Sequence, residues 1–436
     1  MRKWWIALVA AMVFWGGGAV ANERLTIVYS GNTDGELEPC GCSEEGNLGG
    51  ILRRATTLDK LRSEQPDLFL LSSGGLLATI SPQDKLTGEY ILKGLAQLHY
   101  DAIGLQWQDL AYGDDFILHD DLPWVASNRP APGFSPMKMI DHGGTQLAFF
   151  SWLDPARDPA LAMSGAQAHA TATDDIQALD QALAQARAEG ALTVLSTSMP
   201  LAQAQKALPL QHVDILIIES EYEVFGEPQK IGDTLVIQPG SRGMRLGYLE
   251  IERDERGRIA SFDHKVIKMP RSVADAERLL PWYKAYNAKV KESYLQRVAQ
   301  RKALESGESP YASEEACAEC HADEHDIWWD SPHAGAFEKL EDVNKAFDPN
   351  CIVCHTVGYD RPGGFIDIDT TPQLAGVQCE NCHGAAAEHV ESKGAKPVAN
   401  ADWPPQQMCA QCHVQKHSPS FQFERYWPRI RHGVMK

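Results

Sequence analysis

Short apolar runs alternate with amphipathic segments over residues 25 to about 270. The runs are rich in β-branched residues, so we predict strands at 25–30, 67–72, 146–151, 191–196 and 213–218. Apolar residues recur with the period of a helix at 51–63, 173–188 and 202–207, where we predict helices. Strands that alternate with helices in this way are typical of an α/β domain.

The segment 236–267 contains consecutive strand patterns, and residues 253–258 between them predict a hairpin turn. From Val273 to Leu304 the pattern becomes helical, and Gly307 and Pro310 then end it. The apolar residues do not sustain a heptad, so we predict a linker helix that packs against one or both domains rather than a coiled coil. One apolar side of this helix is formed by Leu279, Leu280, Trp282, Tyr283, Tyr286 and Val290.

The composition changes after Ser309, and the remaining chain contains four Cys-x-x-Cys-His pentads. In such a pentad the two thiols attach haem c covalently, and the adjacent histidine binds its iron. Zinc knuckles share the Cys-x-x-Cys spacing, but here a histidine directly follows every pair and the chain begins with an export signal. We therefore predict a c-type cytochrome with four covalently bound haem c groups. The attachment residues are Cys317, Cys320, Cys351, Cys354, Cys379, Cys382, Cys409 and Cys412, and the pentad ligands are His321, His355, His383 and His413.

Whether each iron has a second protein ligand decides between electron transfer and small-molecule chemistry. Iron held by two histidines is closed to substrates, whereas iron with an open position binds a ligand. The candidates for the second ligand are the other histidines of this part, which are His325, His333, His389, His417 and His432.

The start of the chain, residues 1–21, has the features of a signal peptide, with Arg2 and Lys3 before an apolar stretch and a small-residue cleavage site ending at Ala21. We expect cleavage after Ala21 and export to the periplasm of a Gram-negative-type bacterium, with no integral membrane segment in the mature chain. The predicted organisation is a signal peptide at 1–21, an α/β domain at 22–270, a helical linker at 271–308 and a tetrahaem domain at 309–436.

The formal net charge is −19, and it becomes −21 when cleavage of the signal peptide removes Arg2 and Lys3. Such a charge argues against nucleic acid or anionic lipid as a partner, so we expect redox proteins as electron donor and acceptor. The oligomeric state is left open. A basic cluster at the C-terminus either docks a partner or neutralises haem propionates, and it consists of Arg425, Arg429, Arg431 and Lys436.

The C-terminal part resembles the tetrahaem cytochrome c-554 family in the stretches 311–321, 351–358 and 377–384, with Trp328 and His333 after the first of them. The resemblance implies periplasmic electron transfer by haems stacked in pairs. It implies that His333 is the distal ligand of the third haem, that His389 is that of the first, and that the second haem is open. For the fourth haem it implies a ligand from the C-terminal segment, for which we favour His432 over His417, because His417 lies one helical turn after His413. The same spacing from His321 makes His325 a surface or propionate contact.

The N-terminal part resembles exported 5′-nucleotidases of the calcineurin-like metallophosphoesterase superfamily in the stretches 27–39, 49–54, 101–113, 123–128 and 234–241. The resemblance implies an α/β metallophosphoesterase-like sandwich, followed by the mostly α, haem-cored cytochrome domain. The histidines and the bridging carboxylate of that family's two-metal site are replaced, so we expect a non-catalytic platform without a dinuclear centre. The remaining acids are either a hard-cation site or solvated side chains, and we favour the second: Asp34, Asp109, Glu219 and Glu221.

Cys40 and Cys42 lie in the loop after the first strand. Three interpretations remain, which are a strained disulfide, a redox or soft-metal pair that exchanges electrons with the haems, and a structural staple.

Taken as a whole, the sequence favours an electron-transfer protein over an enzyme. The alternative is an oxidoreductase that acts on a small nitrogen or sulfur compound at an open haem or at this cysteine pair.

Overall fold

A computed structural model describes residues 23–39, 47–157, 172–218, 225–304, 307–414, 418 and 420–432 of the protein. The predicted signal peptide, Cys40, Cys42, Glu219, Glu221 and His417 lie outside the described residues. Among the described residues, no helix is both long enough and apolar enough to cross a membrane.

The α/β part contains two sheets, each with six strands in the described residues. The first has the order β12-β11-β1-β2-β3-β4. Strand β1 pairs in parallel with β2 and antiparallel with β11, so a nucleus of parallel strands is extended by an antiparallel hairpin. Its strands are β1 (Glu23–Ser30), β2 (Phe69–Ser72), β3 (Ala102–Gly104), β4 (Trp124–Val125), β11 (Arg245–Arg253) and β12 (Ile259–Lys268).

The second sheet has the order β5-β6-β7-β8-β10-β9, with parallel pairing in its centre and antiparallel pairing at both edges. Its strands are β5 (Lys138–His142), β6 (Thr145–Trp152), β7 (Leu192–Thr197), β8 (Ile215–Ile218), β9 (Phe225–Ile231) and β10 (Thr234–Pro239). The strands and the hairpin that the apolar pattern predicts are all present, with ends that differ by a few residues.

Side chains alternate between the two faces of each sheet, and this alternation builds the layers. In β1, Ile27 and Tyr29 point into a core that the two sheets share, whereas Val28 points to the outer face. Phe149 and Val194 enter the same inner core from the second sheet. The sheets therefore pack face to face, as a sandwich requires.

Helices cover both outer faces of the sandwich. Helices α1 (Ile51–Glu64) and α2 (Asp84–Ala96) pack on the first sheet, and α4 (Ile176–Ala188) and α5 (Leu201–Ala207) pack on the second. The short α3 (Asp114–Ile117) precedes β4. The four layers confirm the α/β metallophosphoesterase-like sandwich that the sequence predicts.

The linker forms α6 (Leu280–Leu304), which is preceded by a 3₁₀ turn at Glu277–Leu279. Its buried residues are spaced by three or four positions and join the core of the first sheet: Trp282, Tyr286, Val290, Tyr294 and Val298. The helix also contacts the C-terminal part, because the Arg301 guanidinium donates to the Phe365 carbonyl at 2.6 Å and Lys302 pairs with Asp367 at 2.7 Å. The helix therefore packs against both parts of the chain.

The C-terminal part consists of short helices and loops. Its helices are α7 (Glu314–Ala318), α8 (Ala322–Trp329), α9 (Ala336–Asp342), α10 (Pro349–His355), α11 (Cys379–His383), α12 (Ala387–Glu391), α13 (Pro405–Ala410) and α14 (Phe423–Tyr426). Few of its apolar side chains are buried by other protein side chains, apart from a group that includes Phe337, Ile352 and Phe365.

Candidate functional site

Each pentad lies in or at the end of a short helix, and this explains its spacing. Residues i, i+3 and i+4 of a helix lie on one face, so one turn presents two thiols and an imidazole together. Helices α10 and α11 contain whole pentads, whereas α7 and α13 end within theirs. In those two pentads the turn continues, because the His321 and His413 amides donate to the Cys317 and Cys409 carbonyls at 2.9 Å.

In the C-terminal part, three pairs of histidine rings lie opposite each other, with angles of 23°, 56° and 46° between the ring planes. The ring centres of His321 and His389 are 6.2 Å apart, and the other two pairs are similar. These are His333 with His413 at 6.1 Å and His383 with His432 at 5.8 Å. Two imidazoles on opposite sides of one iron have ring centres about 6 Å apart, because each metal–nitrogen bond is about 2 Å long. The spacing of all three pairs therefore fits a haem iron between the rings.

Hydrogen bonds fix the orientation of these rings. The Nδ1 atoms of His389 and His432 lie 2.7 and 2.9 Å from the carbonyls of Lys396 and Ile430. An Nδ1–H that donates to a carbonyl leaves Nε2 as the metal-binding nitrogen. His355 has the same arrangement, with its Nδ1 at 2.7 Å from the Ala336 carbonyl.

Burial also keeps three of the imidazoles in the form that binds iron. It lowers the pKa of His333, His383 and His413 below the ordinary value, and neighbouring histidines lower the pKa further. The neutral imidazole has the free lone pair that a metal requires, whereas the charged ring does not.

Two ring pairs differ from the pairing that the sequence analysis proposes. We expected His333 at the third haem and His432 at the fourth, but His333 faces the fourth pentad and His432 faces the third. The Phe421 ring stacks on His413 at 4.2 Å, so the C-terminal segment turns at this position and continues to His383. The pairing of His321 with His389 follows the expected assignment.

His355 of the second pentad differs from the other pentad histidines. Within the described ranges of the chain, no ring pair of this kind includes His355, and its Nδ1 is directed to Ala336. His325, the remaining described candidate, is held elsewhere, because its Nε2 lies 2.6 Å from Glu314 and its ring contacts Trp328 and Trp329.

Side chains of different pentads touch, and these contacts place the pentads in a spatial order. The Cys317 thiol lies close to that of Cys379, and the Cys412 thiol lies close to that of Cys354. The Gln411 amide of the fourth pentad donates to the Asn381 carbonyl of the third at 3.3 Å. The pentads therefore follow one another in space as second, fourth, third and first. This order is absent from the sequence analysis, because motif spacing carries no information about it.

The loop ends of the α/β part, where the resemblance to 5′-nucleotidases places two metal ions, hold a polar cluster. The Gln106 and Gln108 amides donate to Asn32 and Asp34 at 2.8 and 3.1 Å, so side-chain N–H groups occupy the oxygens that a metal needs. Asp109 is fully buried and accepts from the backbone amides of Gly75, Leu76 and Gln106 at 2.6 to 3.0 Å.

In the described residues, no group of three or more histidine, cysteine, aspartate or glutamate side chains is arranged to hold a metal ion. The residues of this cluster therefore do not fit the dinuclear centre of the family. The expectation that Asp109 is a solvated acid is wrong, because backbone amides enclose it.

Comparisons with known proteins separate the two parts of the chain. Residues 316–384 match the family model described as cytochrome c554 and c-prime. Cytochrome c-554 of Nitrosomonas europaea is 31% identical over 94 residues, which are 18% of this chain and 40% of that protein. The chain thus spans less than half of the length of this relative.

Solved structures resemble the other part. A 5′-nucleotidase precursor from Thermus thermophilus has a TM-score of 0.54 and 16% identity over 81% of this chain and 74% of its own. The sulfate thiohydrolase SoxB of Thermus thermophilus, solved with glycerol, has a TM-score of 0.51 and 16% identity over 61% of this chain and 60% of its own. At this identity the likeness shows the fold alone. The two resemblances that the sequence analysis states are both confirmed.

Proposed function

We propose that this chain, whose C-terminal part is of the cytochrome c554 type and whose N-terminal part has the 5′-nucleotidase fold, is a periplasmic tetrahaem electron carrier. The observation that carries the proposal is the spacing of three histidine ring pairs, 5.8 to 6.2 Å, each of which includes a pentad histidine. At this spacing, nitrogens of the two imidazoles in each pair can bind one iron from opposite sides.

The residues of the chain divide the work of holding the cofactor. The eight pentad cysteines attach it covalently, and the pentad histidines with His389, His333 and His432 close three of the irons. When bound, haem c supplies one-electron exchange at its iron. Carbonyls that accept from Nδ1 hold the ligand rings in place, so little rearrangement accompanies a change of charge.

The spatial order of the pentads supports a path for electrons. Contacts join the second pentad to the fourth, the fourth to the third and the third to the first. The path therefore has two ends, the second and the first pentad, where redox proteins act as donor and acceptor. The strongly negative net charge favours partners with basic docking surfaces.

The α/β part serves as a platform rather than a catalyst in this proposal. Its former metal site is filled by side-chain amides, and its acids accept from protein donors. Export by a cleaved signal peptide and residence in the periplasm belong to the proposal, because haem c is attached outside the cytoplasm.

A second candidate function rests on His355. No second imidazole faces His355 among the described residues, so an iron bound at this pentad would keep a coordination position for a small nitrogen or sulfur compound. The chain would then be an oxidoreductase whose other three haems deliver or remove electrons. Cys40 and Cys42, the other reaction site considered above, lie outside the described residues.

The haem-to-protein ratio and low-temperature EPR of the oxidised protein test both functions. We expect a ratio of four, three low-spin haems and one high-spin haem that nitric oxide converts. A ratio below four contradicts the tetrahaem proposal. Four low-spin haems that the gas leaves unchanged contradict the open second site and leave a dedicated carrier.

A further inference from the structure

A partly buried ion pair joins the α/β part to the C-terminal part. The Lys345 Nζ donates to the Glu38 carboxylate, which lies in the loop after β1. The Lys345 side chain is only 12% exposed and that of Glu38 is 29% exposed. The Tyr283 hydroxyl also donates to Glu38, and the Asn287 side-chain carbonyl accepts from Lys345 at 2.8 Å. Three segments that are distant in sequence thus meet at one cation.

Lys345 stays charged in this pair, and the groups around its ammonium compensate the charge. Burial lowers the pKa of Lys345, but the charges of Glu38 and its neighbours outweigh this and raise the pKa above the ordinary value. The ammonium also lies 5.5 and 5.7 Å from the ring centres of Tyr283 and Tyr286. A buried cation with a carboxylate, an amide oxygen and two aromatic faces around it is well compensated.

Lys345 leads directly to the second pentad. Its Nζ lies 3.9 Å from Asp348, whose carboxylate accepts from the Asn350 amide at 3.0 Å and so caps helix α10. Cys351, which is the first residue of the second pentad, follows Asp348 by one helical turn. A change at Lys345 is therefore transmitted to the start of the helix that carries both thiols and His355.

The second pentad is also the one that enters the interdomain core. Ile352 is fully buried in the cluster that contains Leu37 and Trp282, and Cys351 packs against that cluster. Within the described parts of the chain, no residue of the other three pentads belongs to it. The α/β part therefore supports the second pentad and leaves the others to the C-terminal part alone.

We propose that Glu38 and Lys345 are positioning residues for the second haem, through which the α/β domain sets the potential of that haem. This inference rests on the proposed function, since it requires haem c at Cys351 and Cys354. Reduction lowers the positive charge of the iron, so a nearby cation favours the reduced form and a nearby anion opposes it. The two residues therefore act in opposite directions on one haem.

Single substitutions separate the two charges. Glu38→Gln keeps the shape of the side chain and leaves Lys345 less compensated, so the midpoint potential of the second haem rises. Lys345→Met leaves Glu38 and Asp348 without their cation, so the potential falls. The double variant restores a value near that of the parent, because the two changes cancel.

Potentiometric titration of the full holoprotein, followed by EPR at the high-spin signal of the second haem, measures these shifts. The matched control is Glu252→Gln, which removes a carboxylate of similar exposure to that of Glu38, 32% against 29%, that pairs with Arg24 instead of Lys345. We expect opposite shifts in the two single variants, no shift in the control, and unchanged low-spin signals throughout.

An unchanged potential in Glu38→Gln, or equal shifts at all four haems, overturns the inference. Glu38→Gln decides the question by itself if Lys345→Met yields no folded protein. Failure of the proposed function is recognised separately, because the parent protein would then contain fewer than four haems before any variant is compared.

Discussion

The histidine rings that meet in the C-terminal part come from positions far apart in the sequence. His321 ends the first pentad, whereas its partner His389 follows the third, and His333 precedes the second pentad while its partner His413 ends the fourth. A ligand set made of such pairs is tested one residue at a time, because each distal histidine serves a single iron. The loss of one distal histidine opens one site without removing the covalent attachment.

We expect His389→Ala, His333→Ala and His432→Ala each to convert one low-spin haem into a high-spin haem. The control is His325→Ala, because His325 pairs with Glu314 instead of facing a pentad histidine. Low-temperature EPR of the oxidised variants measures the change. A new high-spin signal in His325→Ala, or none in His432→Ala, would show that the ring pairs are not ligand pairs.

Asp109 gives the stability of the α/β part an unusual dependence on pH. Burial raises the pKa of Asp109 from 3.8 to about 6, although backbone amides that donate to it work in the opposite direction. The folded state thus holds its proton more tightly than the unfolded state. The stability that this provides is complete below pH 4 and is lost as the pH rises through 6, by about 3 kcal/mol in total.

In the Asp109→Asn variant this loss of stability between pH 4 and pH 7 should disappear, because the side chain no longer titrates. Unfolding midpoints measured across that range report the slope. The exposed Asp115 on the neighbouring α3 supplies the control, since Asp115→Asn keeps the parent slope. A slope that survives in Asp109→Asn would assign the pH dependence to other groups.

At the scale of elements, helix α6 holds the two parts of the chain together. Val290 lies at its centre and is fully buried, whereas Leu295 on the same helix is 53% exposed. Val290→Ala removes two methyl groups from a packed core and should reduce the free energy of unfolding by about 2 kcal/mol. Leu295→Ala should change it by less than about 0.5 kcal/mol.

Chemical unfolding, followed at the helix signal and at the haem absorbance, measures both variants. Because α6 packs against both parts, the two signals should shift together in Val290→Ala. If only the unfolding transition in the helix signal shifts, the C-terminal part is stable without α6.

The apolar pattern predicts most elements of the α/β part, and its errors have local causes. It starts the linker helix at Val273, but the structure starts the helical turns at Glu277. The segment between Val273 and Glu277 is hydrogen-bonded to α1 instead. The Ala276 amide donates to the Leu52 carbonyl, and the Ala274 carbonyl accepts from the Thr56 hydroxyl. Periodicity cannot reveal this, because the competing partner lies near the other end of the α/β part.

At the scale of the whole molecule, the sequence predicts the chemistry of local motifs but does not predict which distant residues pair. A pentad is complete within one helical turn, so its sequence specifies its face and its cofactor. The partner of His432 depends instead on how the last segment turns at Phe421. The Glu38–Lys345 pair is invisible for the same reason, because neither residue has a distinctive sequence context.

The composition of the chain changes after Ser309, but its hydrophobic core does not divide there. One cluster of buried side chains includes Ile51 of the α/β part, Tyr294 of the linker and Phe365 of the C-terminal part. Recombination at the compositional boundary would expose an apolar surface on both products. A substitution in this shared core on one side of Ser309 should therefore also change the stability of the other side.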